Sequence, residues 1–94
     1  MKVLILNAGS STLKYLLMDM NTKTEIANGN VERINVGNSF IKYNAHGKKN
    51  KIEHEVKNHK QALELVISYL TNSAIGVIKS INEITAFGHR FVHG

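Results

Sequence analysis

The segment NAGSSTLK, residues 7–14, concentrates groups that bind anions. Gly9 has no Cβ, so its backbone can bend sharply and approach a phosphate closely. Consecutive backbone N–H groups in such a turn can form an anion-binding nest, and residues 10–12 each add a hydroxyl group. Lys14 adds a positive charge on the strand that follows. These residue types indicate either a phosphate-facing turn or an ordinary polar hairpin turn, because Gly, Ser and Thr are common in both.

Asn7 ends the apolar run KVLIL and carries an amide that can donate and accept hydrogen bonds. The segment is not a Walker A loop, because the G-x-x-x-x-G-K-[ST] spacing is absent and strand-like residues follow instead of a helix. As a phosphate site, it would use Asn7, the hydroxyls of Ser10, Ser11 and Thr12, and Lys14 to hold a phosphate or a metal-bound water beside one.

A second candidate is GHRFVHG at residues 88–94, where Arg90 lies between two histidines in an apolar segment. A buried arginine needs a partner, and its planar fork suits a carboxylate or a phosphate. The alternative is a structural salt bridge. His89 and His93 do not have the spacing of a zinc site, and the chain contains no cysteine, so a metal centre is not predicted here.

The elements that must position these residues follow from hydrophobic periodicity. Residues 63, 66, 67 and 70 are apolar at helical spacing, with Asn58 as N-cap and Asn72 and Ser73 as the stop. The first strand should be buried on both faces, and the glycine at position 29 should mark a bulge or a close backbone approach. The predicted strands span residues 3–6, 13–18, 25–34, 39–43, 51–56 and 84–92.

Composition limits the possible classes of protein. The 94 residues suffice for one small domain, and 12 basic and 7 acidic residues give a net charge of +5. Half of the basic residues lie between Lys42 and Lys60, which predicts a solvated lysine-rich hairpin or, alternatively, a loose polyanion-binding surface. We expect no specific nucleic-acid partner, no membrane segment and a cytoplasmic location. His46, His54 and His59 are interpreted as surface residues.

NAGSSTLKYLLMD and GHRFVHG, in this order and about 70 residues apart, resemble the two N-terminal signatures of the acetate kinase family. Propionate and butyrate kinases are similar. The family belongs to the actin-like, sugar-kinase and Hsp70 superfamily. The resemblance implies an α/β fold: a ribonuclease-H-like lobe, with a mixed sheet, antiparallel first strands and a crossover helix. Residues 1–94 would form the incomplete N-terminal part of the first lobe, with no second domain.

The resemblance also implies roles for individual residues. Asn7 matches an asparagine near the metal and the transferring phosphoryl group, and Ser10, Thr12 and Lys14 match the phosphate-proximal turn and strand. Thr12 stands where a serine is usual in the family. Arg90 matches the arginine that binds the substrate carboxylate and stabilises transferring charge, and Val92 matches an apolar residue of the acyl pocket.

The implied reaction is reversible transfer of the γ-phosphoryl group of ATP to acetate with Mg²⁺, giving acetyl phosphate and ADP. The full-length enzyme would be a homodimer, and the 94-residue chain alone would be inactive because the nucleotide-binding lobe is missing. Two alternatives stay open. The chain would belong to a propionate or butyrate kinase, or it would be a small basic module that binds polyanions without catalysis.

Overall fold

The computed structural model describes the backbone of residues 1–91 and the side chains of residues 1–89. Six strands form a single mixed sheet, and one helix packs on it. In chain order the elements are β1 (Lys2–Ala8), β2 (Leu13–Asp19), β3 (Thr24–Glu32), β4 (Phe40–Ala45), β5 (Lys48–Glu53), α1 (His59–Leu70), a 3₁₀ turn (Ile81–Glu83) and β6 (Ile84–Phe91).

The strand order across the sheet is β5-β4-β3-β2-β1-β6. The first five strands are antiparallel neighbours, which follows from the short connections between them. After β5 the chain crosses over through α1 and returns as β6, parallel to β1. The predicted mixed sheet with antiparallel first strands and a crossover helix is therefore confirmed.

The helix begins at the predicted residue. The side chain of Asn58 accepts a hydrogen bond from the backbone N–H of Gln61 (2.8 Å), and the side chain of Gln61 accepts one from the N–H of Lys57 (2.9 Å). The first bond satisfies a donor that a helix N-terminus leaves free, and the second ties the residue before the cap to the first turn. The helix ends one residue earlier than predicted, with Thr71 as the C-cap.

The core lies between α1 and one face of the sheet. Alternate residues of the central strands point towards the helix, and the helix contributes Ala62, Val66 and Leu70 at one-turn spacing. The prediction that the first strand is buried on both faces is wrong. Leu4 and Leu6 are buried, whereas Val3 and Ile5 on the other face are only half-buried, because α1 packs on the face of Leu4 and Leu6.

Several strand boundaries differ from the prediction: β1 extends to Ala8, β4 ends at Ala45 and β5 ends at Glu53. Two further differences have a cause in the backbone dihedral angles. The loop predicted at residues 44–50 is a tight turn, in which His46 (φ 55°) and Gly47 (φ 72°) both adopt the left-handed conformation. This pair matches the twist of a two-residue hairpin, so β5 begins at Lys48 rather than at residue 51. Strand β3 ends at Glu32 because Arg33 and Asn35 also have positive φ, which is incompatible with continued pairing.

Gly29 lies where neighbouring strands approach each other closely, and it is not part of a bulge. The β2–β3 register is continuous through Gly29, and the irregularity falls at Leu17 and Met18 instead. A Cβ on Gly29 would overlap the carbonyl oxygen of Lys42 and lie 2.5 Å from the hydroxyl of Tyr15. That hydroxyl donates to the same carbonyl at 2.7 Å, so the glycine makes room for a cross-strand hydrogen bond.

No helix in residues 1–91 has the length and apolar character needed to cross a bilayer. The longest, α1, has 12 residues.

Candidate functional site

The turn between β1 and β2 is held from three directions. Within the turn, the N–H of Gly9 donates to the carbonyl of Thr12 at 3.0 Å. From the β3 side, the N–H of Ile34 donates to the carbonyl of Ser11 at 2.9 Å. From the helix, the imidazole Nε2 of His59 lies 2.7 Å from the carbonyl of Gly9 and 3.1 Å from that of Thr12. The carbonyls of Gly9, Ser11 and Thr12 are therefore occupied by the protein itself.

The amides of the same turn are not occupied in this way. None of the backbone hydrogen bonds formed by residues 1–91 uses the N–H groups of Ser10, Ser11 or Thr12. Ser10 is exposed, and its two neighbours are half-buried. A run of backbone donors with their carbonyls turned away is the arrangement that binds an anion. This geometry favours the phosphate-facing interpretation of the turn over a purely structural hairpin.

Gly9 leaves room for the side chain of Thr12. A Cβ at this position would lie 2.6 Å from the hydroxyl oxygen of Thr12, closer than real Cβ contacts. Any larger residue would displace that hydroxyl, which is one of the predicted phosphate ligands.

Asn7 is the central residue of the site. In the sheet register its Cα pairs with that of Lys14 on β2 and with that of Arg90 on β6. The three predicted residues come from distant parts of the sequence. They lie side by side on adjacent strands, at the end of the sheet where the β1–β2 turn begins. Val92 lies outside the described residues.

The side chain of Asn7 also has an unusual environment. Its Oδ1 is buried and has no hydrogen-bond partner among the described residues. Buried polar atoms in proteins are nearly always paired, so this oxygen is suited to accept a hydrogen bond or to coordinate an ion. Asn7 and Lys14 line one shallow open cleft of about 480 Å³, together with Asn28, Asn30 and Asn44.

Tyr15, the residue after Lys14, fixes β2 from the opposite face. It is buried against the core, and burial is the largest cause of its raised pKa, with smaller contributions from Tyr43 and Tyr69. The hydroxyl therefore stays protonated at neutral pH and donates to the carbonyl of Lys42. This bond joins β2 to β4 across β3 and stabilises the strand that carries Lys14.

His59 is the residue whose role the sequence did not predict. The interpretation as a surface residue is correct for His46 and His54, which are exposed, but wrong for His59, which is half-buried against the turn. A histidine directly after a helix N-cap is a weak local signal. Its carbonyl partners lie 50 and 47 positions away, so only the folded chain reveals the contact.

Other surface features do not converge on this site. An open cleft of about 710 Å³ lies beyond the end of α1, between Thr71 and Glu83. Its carboxylate, Glu83, already binds Lys2 and the backbone N–H of Lys79. Lys48, Lys49 and Lys51 of the β4–β5 hairpin are exposed, as expected of a solvated hairpin.

Comparison with known proteins agrees with the motifs. A family model described as the acetokinase family matches residues 2–94. An acetate kinase of Clostridium novyi is 53% identical over 94 residues, which cover all of this chain and 23% of that protein. The crystal structure of Porphyromonas gingivalis acetate kinase matches with a TM-score of 0.92 at 42% identity, over 99% of this chain and 24% of that one. A propionate kinase from Francisella tularensis matches with a TM-score of 0.81 at 30% identity, over 99% of this chain and 23% of that one.

The sheet order, the crossover helix and these structural matches define the class of protein, an actin-like ATPase fold. Within that class, the chain belongs to the acetokinase family. The resemblance and the fold class predicted from the sequence are confirmed. The chain spans about a quarter of the length of the curated relatives that it matches.

Proposed function

We propose that this chain contributes part of the active site of an acetate kinase, a phosphotransferase with a carboxyl group as acceptor. A carboxylate oxygen of acetate attacks the γ-phosphorus of ATP, and the bond from that phosphorus to the β,γ-bridging oxygen breaks. The products are acetyl phosphate and ADP, and the reaction is reversible. Residues 1–94 form the N-terminal part of the first lobe, and the 94-residue chain alone is inactive.

The observation that carries the proposal is the backbone register that aligns Asn7 with both Lys14 and Arg90 beside the amides of residues 10–12. Phosphoryl transfer is catalysed mainly by positioning and by charge stabilisation. The end of the sheet beside the turn carries backbone donors that can position phosphates and cationic residues that can stabilise their charge. The turn amides, Ser10, Thr12 and Lys14 bind phosphate oxygens.

Arg90 and Val92 complete the acetate side of the proposed site. Arg90 binds the acetate carboxylate and stabilises charge on the transferring group, since a guanidinium pairs bidentately with planar oxyanions. Val92 lines the pocket for the acyl methyl group. An apolar pocket distinguishes acyl chains only modestly, by about 1–3 kcal/mol per methylene.

Mg²⁺ is expected with ATP, and one described residue fits it. The orphaned Oδ1 of Asn7 is a hard oxygen donor of the kind that Mg²⁺ accepts, directly or through a water. Residues 1–91 bring no three carboxylates or histidines together, so Asn7 would share the ion with phosphate oxygens and water. When bound, the ion supplies charge neutralisation on the phosphates.

The test is acetyl phosphate formation from ATP and acetate by the full-length protein, captured as the hydroxamate. We expect Arg90→Ala to lower kcat/KM by about 10³-fold or more, the range for arginines that stabilise transferring phosphoryl groups. Lys49→Ala, which removes an exposed hairpin cation, is the matched control and should retain full activity. Propionate and butyrate assayed in parallel decide acyl specificity.

A full-length protein that is folded yet inactive with acetate would contradict the proposal. A higher kcat/KM with propionate or butyrate than with acetate would assign the protein to the propionate or butyrate kinases instead. The proposal extends to a homodimeric, cytoplasmic enzyme, which light scattering and cell fractionation test.

A further inference from the structure

His59 joins the first turn of α1 to the candidate phosphate turn. Its Nε2 is 2.7 Å from the carbonyl oxygen of Gly9 and 3.1 Å from that of Thr12. Both partners are carbonyls, which only accept hydrogen bonds, so the proton must be on Nε2. The neutral Nε2–H tautomer and the imidazolium ion both meet this requirement. His59 is therefore a donor shared by the two ends of one turn.

The support for His59 does not depend on the turn. Asn58 caps the helix immediately before it, and Gln61 closes the cap from the other side. Val56, two residues before the cap, is buried, and its carbonyl accepts from the N–H of Asn35 at 2.9 Å. The imidazole thus projects from a backbone segment that is fixed by its own hydrogen bonds.

The position of this donor decides which backbone groups of the turn face outwards. The carbonyl of Gly9 lies in the peptide that carries the N–H of Ser10, and the carbonyl of Ser11 lies in the peptide that carries the N–H of Thr12. Since the first carbonyl accepts from His59 and the second from the N–H of Ile34, the planes of these two peptides are set. A peptide plane that turns its carbonyl inwards turns its N–H the opposite way. Loss of the imidazole would leave the carbonyl of Gly9 without this donor and would free its peptide plane to rotate, whereas the carbonyl of Thr12 would keep its bond from the N–H of Gly9.

We propose that His59 is a positioning residue for the candidate active site. Through the carbonyl of Gly9 it orients the N–H of Ser10 towards the phosphates of the nucleotide, and through the carbonyl of Thr12 it holds the other end of the turn, without touching the phosphates. This inference rests on the proposed role of the turn as a phosphate site. It assigns a catalytic consequence to a side chain outside both sequence motifs.

The test compares three variants of the full-length protein. His59→Leu removes the donor, and His59→Gln retains an N–H donor on a side chain of similar reach. His54→Gln is the matched control, because His54 is exposed and the one hydrogen bond of its side chain among the described residues is to the neighbouring carbonyl of Glu55. Measurements are kcat, the KM values for ATP and acetate, ATP binding by calorimetry, and the urea unfolding midpoint.

We expect His59→Leu to lower kcat/KM for ATP by about 10–100-fold, because small misplacements of positioning groups cost about that much. The KM for acetate should change less than about twofold, since acetate is not bound by this turn. His59→Gln should restore most of the loss, and His54→Gln should match the wild type. A purely structural role would lower the unfolding midpoint without this division between the two substrates.

A folded His59→Leu protein with unchanged kinetics for ATP would overturn the inference. So would a folded His59→Gln protein as impaired as His59→Leu. If His59→Leu does not fold, His59→Gln and the imidazole ¹⁵N spectrum decide, and a spectrum without a proton on Nε2 overturns the proposal. If the wild type is no acetate kinase, calorimetry still decides: weaker ATP binding by His59→Leu supports the inference, and unchanged binding overturns it.

Discussion

The two faces of the sheet have different roles: one forms the apolar core, and the other carries the candidate binding residues. The face under α1 is apolar and closed, and several of its side chains are completely buried: Leu4, Leu17, Val31 and Ile41. The opposite face is open in the described residues. Its apolar side chains, such as Ile5 and Leu16, are half-buried, and towards the turn they give way to Asn7 and Lys14.

Strand alternation explains this division. Neighbours along β2, such as Lys14 and Tyr15, point to opposite faces, so one strand supplies both a candidate ligand and a core residue. The burial of Tyr15 fixes the strand that carries Lys14, and the same coupling links Leu6 to Asn7 on β1. Groups held in this way by rigid strands are more precisely placed than groups on free loops.

The largest difference between the faces should appear at Leu16 and Leu17, which are adjacent on β2. Leu17→Ala should lower the free energy of unfolding of this chain by about 4 kcal/mol, the range for a fully buried leucine. Leu16→Ala should cost only about 1 kcal/mol, because its side chain is already partly hydrated. Urea unfolding measures both. Equal losses would mean that the open face is covered in solution, for instance by self-association.

A second comparison uses one glycine from each face. Gly29→Ala should destabilise the chain by about 3 kcal/mol, because the new methyl group would overlap the carbonyl of Lys42 and the hydroxyl of Tyr15. Gly88→Ala is the control, since among the described residues its methyl group would meet the side chain of Ile5 at 3.6 Å, an ordinary contact. Thermal unfolding of the two variants should differ clearly. A tolerated Gly29→Ala would show that β3 and β4 separate easily.

The pattern of the sequence predicts most of this fold because periodicity depends on local residues. Apolar alternation identifies β2, and helical spacing together with Asn58 identifies the start of α1. The start of β5 was missed because it depends on left-handed dihedral angles at His46 and Gly47, for which His-Gly is a weaker signal than Asn-Gly.

The sequence predicts the residues of the candidate site that lie in a motif. It does not predict the contacts that depend on tertiary packing. Asn7 and Lys14 belong to one motif, and their pairing follows from a hairpin. The alignment of Asn7 with Arg90 requires the parallel register of β1 and β6. The contact of His59 with the turn requires the docking angle of α1 on the sheet, which no local pattern encodes.

The smallest expected change in stability concerns an ion pair at the end of the sheet opposite the turn. Lys2 and Glu83 form an ion pair at 2.8 Å that joins the start of β1 to the start of β6. The hydrogen bond from Lys2 is the main reason that the pKa of Glu83 is lowered, followed by the bond from the N–H of Lys79. A carboxylate with a lowered pKa in the folded state stabilises that state above its unfolded pKa, and the stabilisation disappears as the pH falls through the folded value.

Glu83→Gln should therefore lower the urea midpoint slightly at pH 7, and the difference from the wild type should shrink towards pH 3, below the ordinary glutamate pKa of 4.5. Both side chains are about one-third exposed, at 31% and 35%, so water and salt screen the pair and the effect stays small. Glu53→Gln, at an exposed position of β5, controls for the change in net charge. A difference that persists unchanged at pH 3 would show that Glu83 acts through its shape and its neutral hydrogen bonds. The parallel pairing of β1 with β6, which aligns Asn7 with Arg90, would then owe nothing to this charge.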